Sequence, residues 1–179
     1  MILVFAVAII CVIADQVTKY LISSSYAVGE GTSIIDGVFR LTYIKNEGAA
    51  FGSLSDARWI FMTASTLLII AIIGYAVWKR PKSKLLCVTL GLLAGGGIGN
   101  MIDRVALGYV VDFLDFCAFP DLWKWIFNFA DVFVCVATGL LILYIIRYDD
   151  KAKPEVAEAA ADDTPTEDVK GGDENNEAE

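Results

Sequence analysis

Apolar positions fall in four long runs separated by short polar connections, at approximately 1 to 22, 59 to 78, 85 to 102 and 125 to 146. Each run is close to or above the roughly 20 residues that a helix needs to cross a bilayer. The second, WIFMTASTLLIIAIIGYAVW, carries no charge and has Trp59 and Trp78 at its ends, as the aromatic belts of membrane interfaces favour. The first run has no basic leader and no small-residue cleavage site before Asp15, so it reads as a retained span rather than a signal peptide. The pattern predicts an integral membrane α-helical protein with four transmembrane helices and both termini on one side.

Between the first two runs, residues 23 to 58 carry a different signal. SIIDGVFRLTYI reads as two short strands about an Asp36-Gly37 turn, a β-hairpin lying on the membrane surface. KNEGAAFGS follows, small and glycine-rich, where backbone can approach another group closely. Residues 103 to 124 read as a second connection on the same side.

Charge orients the spans. Lys79, Arg80, Lys82 and Lys84 crowd the link between the second and third runs, and Arg147, Lys151 and Lys153 follow the fourth. Basic loops stay cytoplasmic, which places that link and both termini inside and the two longer connections outside. The net charge of -8 belongs to one segment: residues 149 to 179 hold twelve Asp or Glu against three Lys, leaving the first 148 near neutral. That acidic segment has no aromatic residue and few large apolar ones, so it is expected to be a disordered cytoplasmic tail.

The chain contains no His, which excludes Ser-His and Cys-His nucleophile pairs and the commonest metal ligand. Cys11, Cys87, Cys117 and Cys135 show no C-x-x-C spacing, so neither a disulfide framework nor a metal site is indicated. No cofactor and no nucleic-acid partner are expected.

What remains is a set of polar residues in apolar surroundings: Asp15, Asn100, Asn128 and Asp131, with Asp103 and Arg104 at the end of the third run. Ionisable groups at membrane depth are by default hypotheses of function, and all of these fall toward the outer ends of their spans. Asp112, between Val111 and Phe113, lies in a loop long enough to fold back and meet Asp131. Two carboxylates in a poorly hydrated place share a proton. One can then take a proton from water while the other hydrogen-bonds the carbonyl under attack. Three alternatives stand beside this: an ion or proton pathway, a non-enzymatic assembly factor, and a serine-lysine peptidase using Ser23 to Ser25 with Lys19. Asp15 and Lys19, four apart on one helix face, can simply pair, and Gly91, Gly95 and Gly99 give the small-x-x-x-small spacing of close helix packing.

Five blocks in order, DQVTK at Asp15, NEGAAFG at Asn46, GGGIGNMIDR through Asn100, Asp103 and Arg104, VVDF at Asp112 and FNFAD at Asn128 and Asp131, resemble the lipoprotein signal peptidase family. The resemblance spans residues 15 to about 140. It implies a four-span membrane aspartic peptidase with an outer β-rich cradle, which cuts signal peptides from prolipoproteins just before a diacylglyceryl-modified cysteine. It implies Asp112 and Asp131 as the catalytic pair. Asn46, Gly48, Asn100, Arg104 and Asn128 match positions that bind substrate or support the site, and Asp15 and Asp103 match structural acids. The partners implied are modified prolipoproteins and membrane lipids, with the chain a monomer in the bacterial cell membrane.

Overall fold

The computed structural model describes residues 1–48, 57–119 and 125–162. Helix α1 (Ile2–Ser25) leads into strands β1 (Gly31–Ile35) and β2 (Phe39–Asn46). Helices α2 (Ala57–Lys79) and α3 (Lys84–Ala106) follow, then strands β3 (Val110–Phe116) and β4 (Ile126–Phe127), and finally α4 (Phe129–Asp162). Within these helices Ile2–Ser25, Met62–Lys79, Lys84–Ala106 and Phe129–Tyr148 are long and apolar enough to cross a membrane. The four-span architecture expected from the apolar runs is present.

Residues Met1–Tyr144 form one compact unit, in which α3 is the central helix. The buried residues of α1 (Val4, Ala8, Cys11, Asp15, Lys19, Ile22) recur every three or four positions, which puts them on a single stripe of a 3.6-residue helix. That stripe meets the glycines of α3. A Cβ at Gly91 would lie 2.7 Å from Val7 Cβ, one at Gly95 2.6 Å from Cys11 Cβ, and one at Gly99 2.5 Å from the Asp15 carboxylate. Only glycine lets the two backbones come so close. On other faces of α3, Gly96 meets the Ala130 carbonyl and Gly97 meets Ile69, so α4 and α2 are seated by the same device.

The sheet is antiparallel with strand order β1-β2-β3-β4. Its hairpin turns where expected: Val38 N–H donates to Ile35 C=O at 2.9 Å and Gly37 takes φ +72°. β3, expected as loop, pairs along β2 with Leu114 opposite Leu41 and Asp112 opposite Ile44. It lacks the alternation that marks a half-exposed strand, because Val110 to Leu114 are all buried. An apolar cluster of Tyr43, Val111, Phe113 and Leu114 with Ile22 of α1 anchors the sheet to the end of the first helix.

Two boundaries differ from expectation in ways that matter. The fourth span was expected from 125, but Ile126 and Phe127 are strand, paired with Asp115 and Leu114, and helix begins at Phe129. Their apolar character suits either assignment. The segment expected to be disordered from 149 continues α4 as helix to Asp162, where Ala157 and Ala159 to Ala161 with Glu155 and Glu158 are strong helix formers. Residues 49 to 56, which include most of the glycine-rich NEGAAFG stretch, and the acidic segment from 163 lie outside the described residues.

Candidate active site

The local fold explains first why Asn128 and Asp131 stand in an apolar run. Asn128 precedes the first residue of α4, and its side-chain Oδ1 accepts from the Asp131 N–H at 3.1 Å, while Asp131 Oδ2 accepts from the Asn128 N–H at 3.1 Å. This is a capping box made with Asn and Asp. These two residues therefore mark the start of the fourth helix rather than a depth within it. A negative group there also meets the positive end of the helix dipole.

Asp112 reaches the same place from the sheet. It is 2% exposed, with Oδ1 accepting from Asn128 Nδ2 at 2.6 Å and Oδ2 from Asn46 Nδ2 at 2.8 Å. Asn46 is turned by its own loop: Gly48, at φ +80°, donates its N–H to Asn46 Oδ1 at 2.9 Å. The amide nitrogen of Asn46 is thereby left for Asp112. Asp131 Oδ1 accepts from Asn100 Nδ2 at 2.7 Å, and Asn100 Oδ1 in turn accepts from Asn128 Nδ2 at 3.0 Å. The two acids thus meet at Asn128, whose side chain donates to Asp112 on a strand and whose N–H donates to Asp131 at a helix N-terminus.

Burial pushes the Asp112 carboxyl up to about 6. The Asn46 bond opposes the rise, the negative charge of Asp131 adds to it, and the Asn128 bond and Lys19 charge oppose it more weakly. A carboxyl so poised exchanges its proton near neutrality.

Behind the acids lies a buried ionic cluster. Lys19 Nζ is 2.8 Å from Asp15 Oδ2 and 3.0 Å from Asp103 Oδ2. Asp15 Oδ1 accepts from the Ala130 N–H at 2.9 Å and Asp103 Oδ2 from the Val111 N–H at 3.0 Å. Gln16 Nε2 bridges Asp103 Oδ1 and the Gly99 carbonyl. The i, i+4 pairing of Asp15 and Lys19 expected from the sequence is present, but it is one edge of a larger junction among α1, α3, α4 and β3. The role of Gln16 and Lys19 in that junction was not read from the sequence; the signal available was their place beside Asp15 at the polar end of an apolar helix.

Arg104 donates to the Asn100 carbonyl of its own helix at 3.2 Å and, with Asn100 and Asp131, lines a cavity of about 270 Å³ between α2, α3 and α4. Its other walls are mostly apolar, among them Leu68, Ile69, Leu93 and Val134. Such walls limit water at Asp131 and strengthen the electrostatics within. The serines near Lys19 belong elsewhere: Ser23 and Ser24 are exposed and bond the carbonyls of Tyr20 and Leu21. Among the described residues, no group of three or more His, Cys, Asp or Glu is arranged to hold a metal ion.

Residues 7–147 match the family profile described as signal peptidase (SPase) II. Similar chains include the lipoprotein signal peptidase of Symbiobacterium thermophilum, 44% identical over 80% of this chain and 94% of its own length. Another is that of Bacillus subtilis, 38% identical over 86% of this chain and 99% of its own. Among solved structures, one titled as a bacterial membrane enzyme at 1.9 Å resolution superposes with TM-score 0.73 and 33% identity, over 79% of this chain and 91% of that one.

Proposed function

The chain belongs to the signal peptidase II family and is thus a membrane-embedded protease that removes signal peptides from prolipoproteins, and we propose that it does so as an aspartic peptidase with Asp112 and Asp131 as its dyad. The observation that carries this reading is that Asn128 donates to both carboxylates, its side chain to Asp112 and its N–H to Asp131, while Asn100 links Asn128 to Asp131. The pair holds one proton, with Asp112 its favoured carrier. Asp131 takes a proton from water as the water oxygen attacks the scissile carbonyl, and Asp112 donates its proton to the carbonyl oxygen. In the collapse of the resulting gem-diol, Asp131 passes its proton to the leaving nitrogen and a diol hydroxyl returns one to Asp112.

The substrate is a prolipoprotein cut just before its diacylglyceryl-modified cysteine. A lipid-bearing substrate stays in the bilayer, so its scissile bond reaches the level of acids held at the ends of spans. The basic residues Lys79, Arg80, Lys82 and Lys84 between α2 and α3 favour a cytoplasmic link and cytoplasmic termini, with the acids toward the outer face of the cell membrane and the enzyme working as a monomer.

The test is cleavage of a diacylglyceryl-modified prolipoprotein by purified wild type, Asp112→Asn and Asp131→Asn, with the product's N-terminus read by mass. Wild type is expected to release a product beginning at the lipidated cysteine. Each variant should lose about 10²- to 10⁴-fold in kcat, the range of acid-base catalysis. Folded variants that retain wild-type rates would overturn the dyad.

A further inference from the structure

Lys19 is 3% exposed and its ammonium has three hydrogen-bond donors and no acceptor. All three donors are committed: to Asp15 Oδ2 at 2.8 Å, Asp103 Oδ2 at 3.0 Å and Asn100 Oδ1 at 2.9 Å. A lysine that merely neutralised two buried acids would need only the first two.

The carboxylates that Lys19 joins are not generic ion-pair partners. Asp15 holds the N–H of Ala130, the residue before Asp131, and Asp103 holds the N–H of Val111, the residue before Asp112. One ammonium therefore links the backbone anchors of both dyad acids. The third bond has a directional consequence. Since an ammonium only donates, Asn100 must face it with its oxygen, and its amide nitrogen is left to donate to Asp131. Asn128 Nδ2, donating to the same Asn100 oxygen, donates also to Asp112. A reversed Asn100 amide would set its nitrogen against two donors and its oxygen against a carboxylate.

Resting on the aspartic-peptidase reading, we propose that Lys19 is a positioning residue for the reaction: its bonds to Asp15, Asp103 and Asn100 set the separation of Asp112 and Asp131 and the direction in which Asn100 faces Asp131. Buried as it is, it acts through these three groups.

The experiment compares the full-length wild type, Lys19→Gln, and a triple variant, Lys19→Met with Asp15→Asn and Asp103→Asn, on the modified prolipoprotein, with folding followed by thermal denaturation in detergent. The triple variant leaves no uncompensated buried charge, a replacement that proteins often accept. Both variants are expected to fold and to lose about 100-fold in kcat, as displaced catalytic groups do, with KM little changed. The groups facing Lys19 are Asp15, Asp103 and Asn100, with Asp112 and Asp131 beyond. Loss of the cation in Lys19→Gln therefore moves the pH profile upward, whereas the triple variant, which also loses two negative charges, moves it downward. A folded variant with wild-type kcat and an unmoved profile overturns the proposal, and so does failure of both variants to fold, which makes Lys19 structural. Asp112→Asn and Asp131→Asn run alongside: if they stay active the dyad reading itself fails, and if they are dead while the Lys19 variants work normally only this inference fails.

Discussion

Asn128 and Asp131 cap the same helix end reciprocally, each side chain accepting the other's backbone N–H at 3.1 Å. The pair starts α4 and, by the same bonds, holds Asp131 still. Asn128 also donates to Asp112 and Asn100, so its amide has one use for folding and another in the proposed dyad.

Asn128→Ala is therefore expected to lower both stability and activity, in unequal measure. Losing the cap costs about 1 kcal/mol, visible as a lower thermal midpoint in detergent. Activity should fall further, by about 100-fold, because Asp112 and Asp131 lose their common tether. Asn128→Ser, which can cap but cannot reach two acceptors, should recover most of the stability and little of the rate; equal recovery of both would contradict the double role.

Asp112 is expected to shape the pH dependence of stability and, on the proposed dyad, of catalysis. Its carboxyl lies at about 6 in the folded protein against 3.8 unperturbed, so the folded state binds its proton more tightly than the unfolded one. The stability this contributes is full below pH 3.8 and is lost as pH rises through about 6, amounting to on the order of 3 kcal/mol. Thermal midpoints measured between pH 4 and pH 7 should fall with rising pH more steeply for wild type than for Asp112→Asn. On the proposed dyad mechanism, kcat/KM is expected to decline above about pH 6 as the free dyad loses its shared proton, with the corresponding limb of kcat displaced to higher pH once bound substrate excludes water.

Two glycines should respond oppositely to alanine. At Gly99 a Cβ would meet the Asp15 carboxylate at 2.5 Å and Ala130 Cβ at 3.4 Å, an overpacking worth about 1–3 kcal/mol at the point where α1, α3 and α4 join. At Gly139, inside α4, nothing lies within 4 Å, and the helix preference of alanine gives a gain of up to about 1 kcal/mol. Thermal midpoints of Gly99→Ala below wild type and of Gly139→Ala at or above it are the expected pattern.

Ser23→Ala and Ser24→Ala are expected to leave cleavage rates unchanged, since both hydroxyls bond carbonyls of their own helix and Lys19 is held by Asp15 and Asp103. A loss of more than about tenfold in kcat, the scale of a missing catalytic group, would return the serine-lysine alternative to consideration.

The four spans were legible because a bilayer demands about 20 apolar residues whatever they pack against, and the hairpin because Asp36-Gly37 is a local turn signal. The start of α4 was not, since Ile126 and Phe127 suit a strand as well as a helix and their partners lie in β3. β3 itself was hidden: buried on both faces, it shows no alternation.

The sequence alone determined the four apolar spans, the glycine spacing of their contacts and the inventory of acids and amides, because these depend on composition and on spacing along one helix. Only the tertiary structure decided which of those groups meet. Asp112 lies beside the α4 cap because β3 pairs with β2 and Asp103 holds the Val111 N–H; Lys19 reaches Asn100 because Gly91, Gly95 and Gly99 let α1 approach α3. Hydrogen bonds between residues 8 to 115 positions apart leave no periodic trace in a chain, since each partner is set by packing elsewhere and not by its neighbours in sequence.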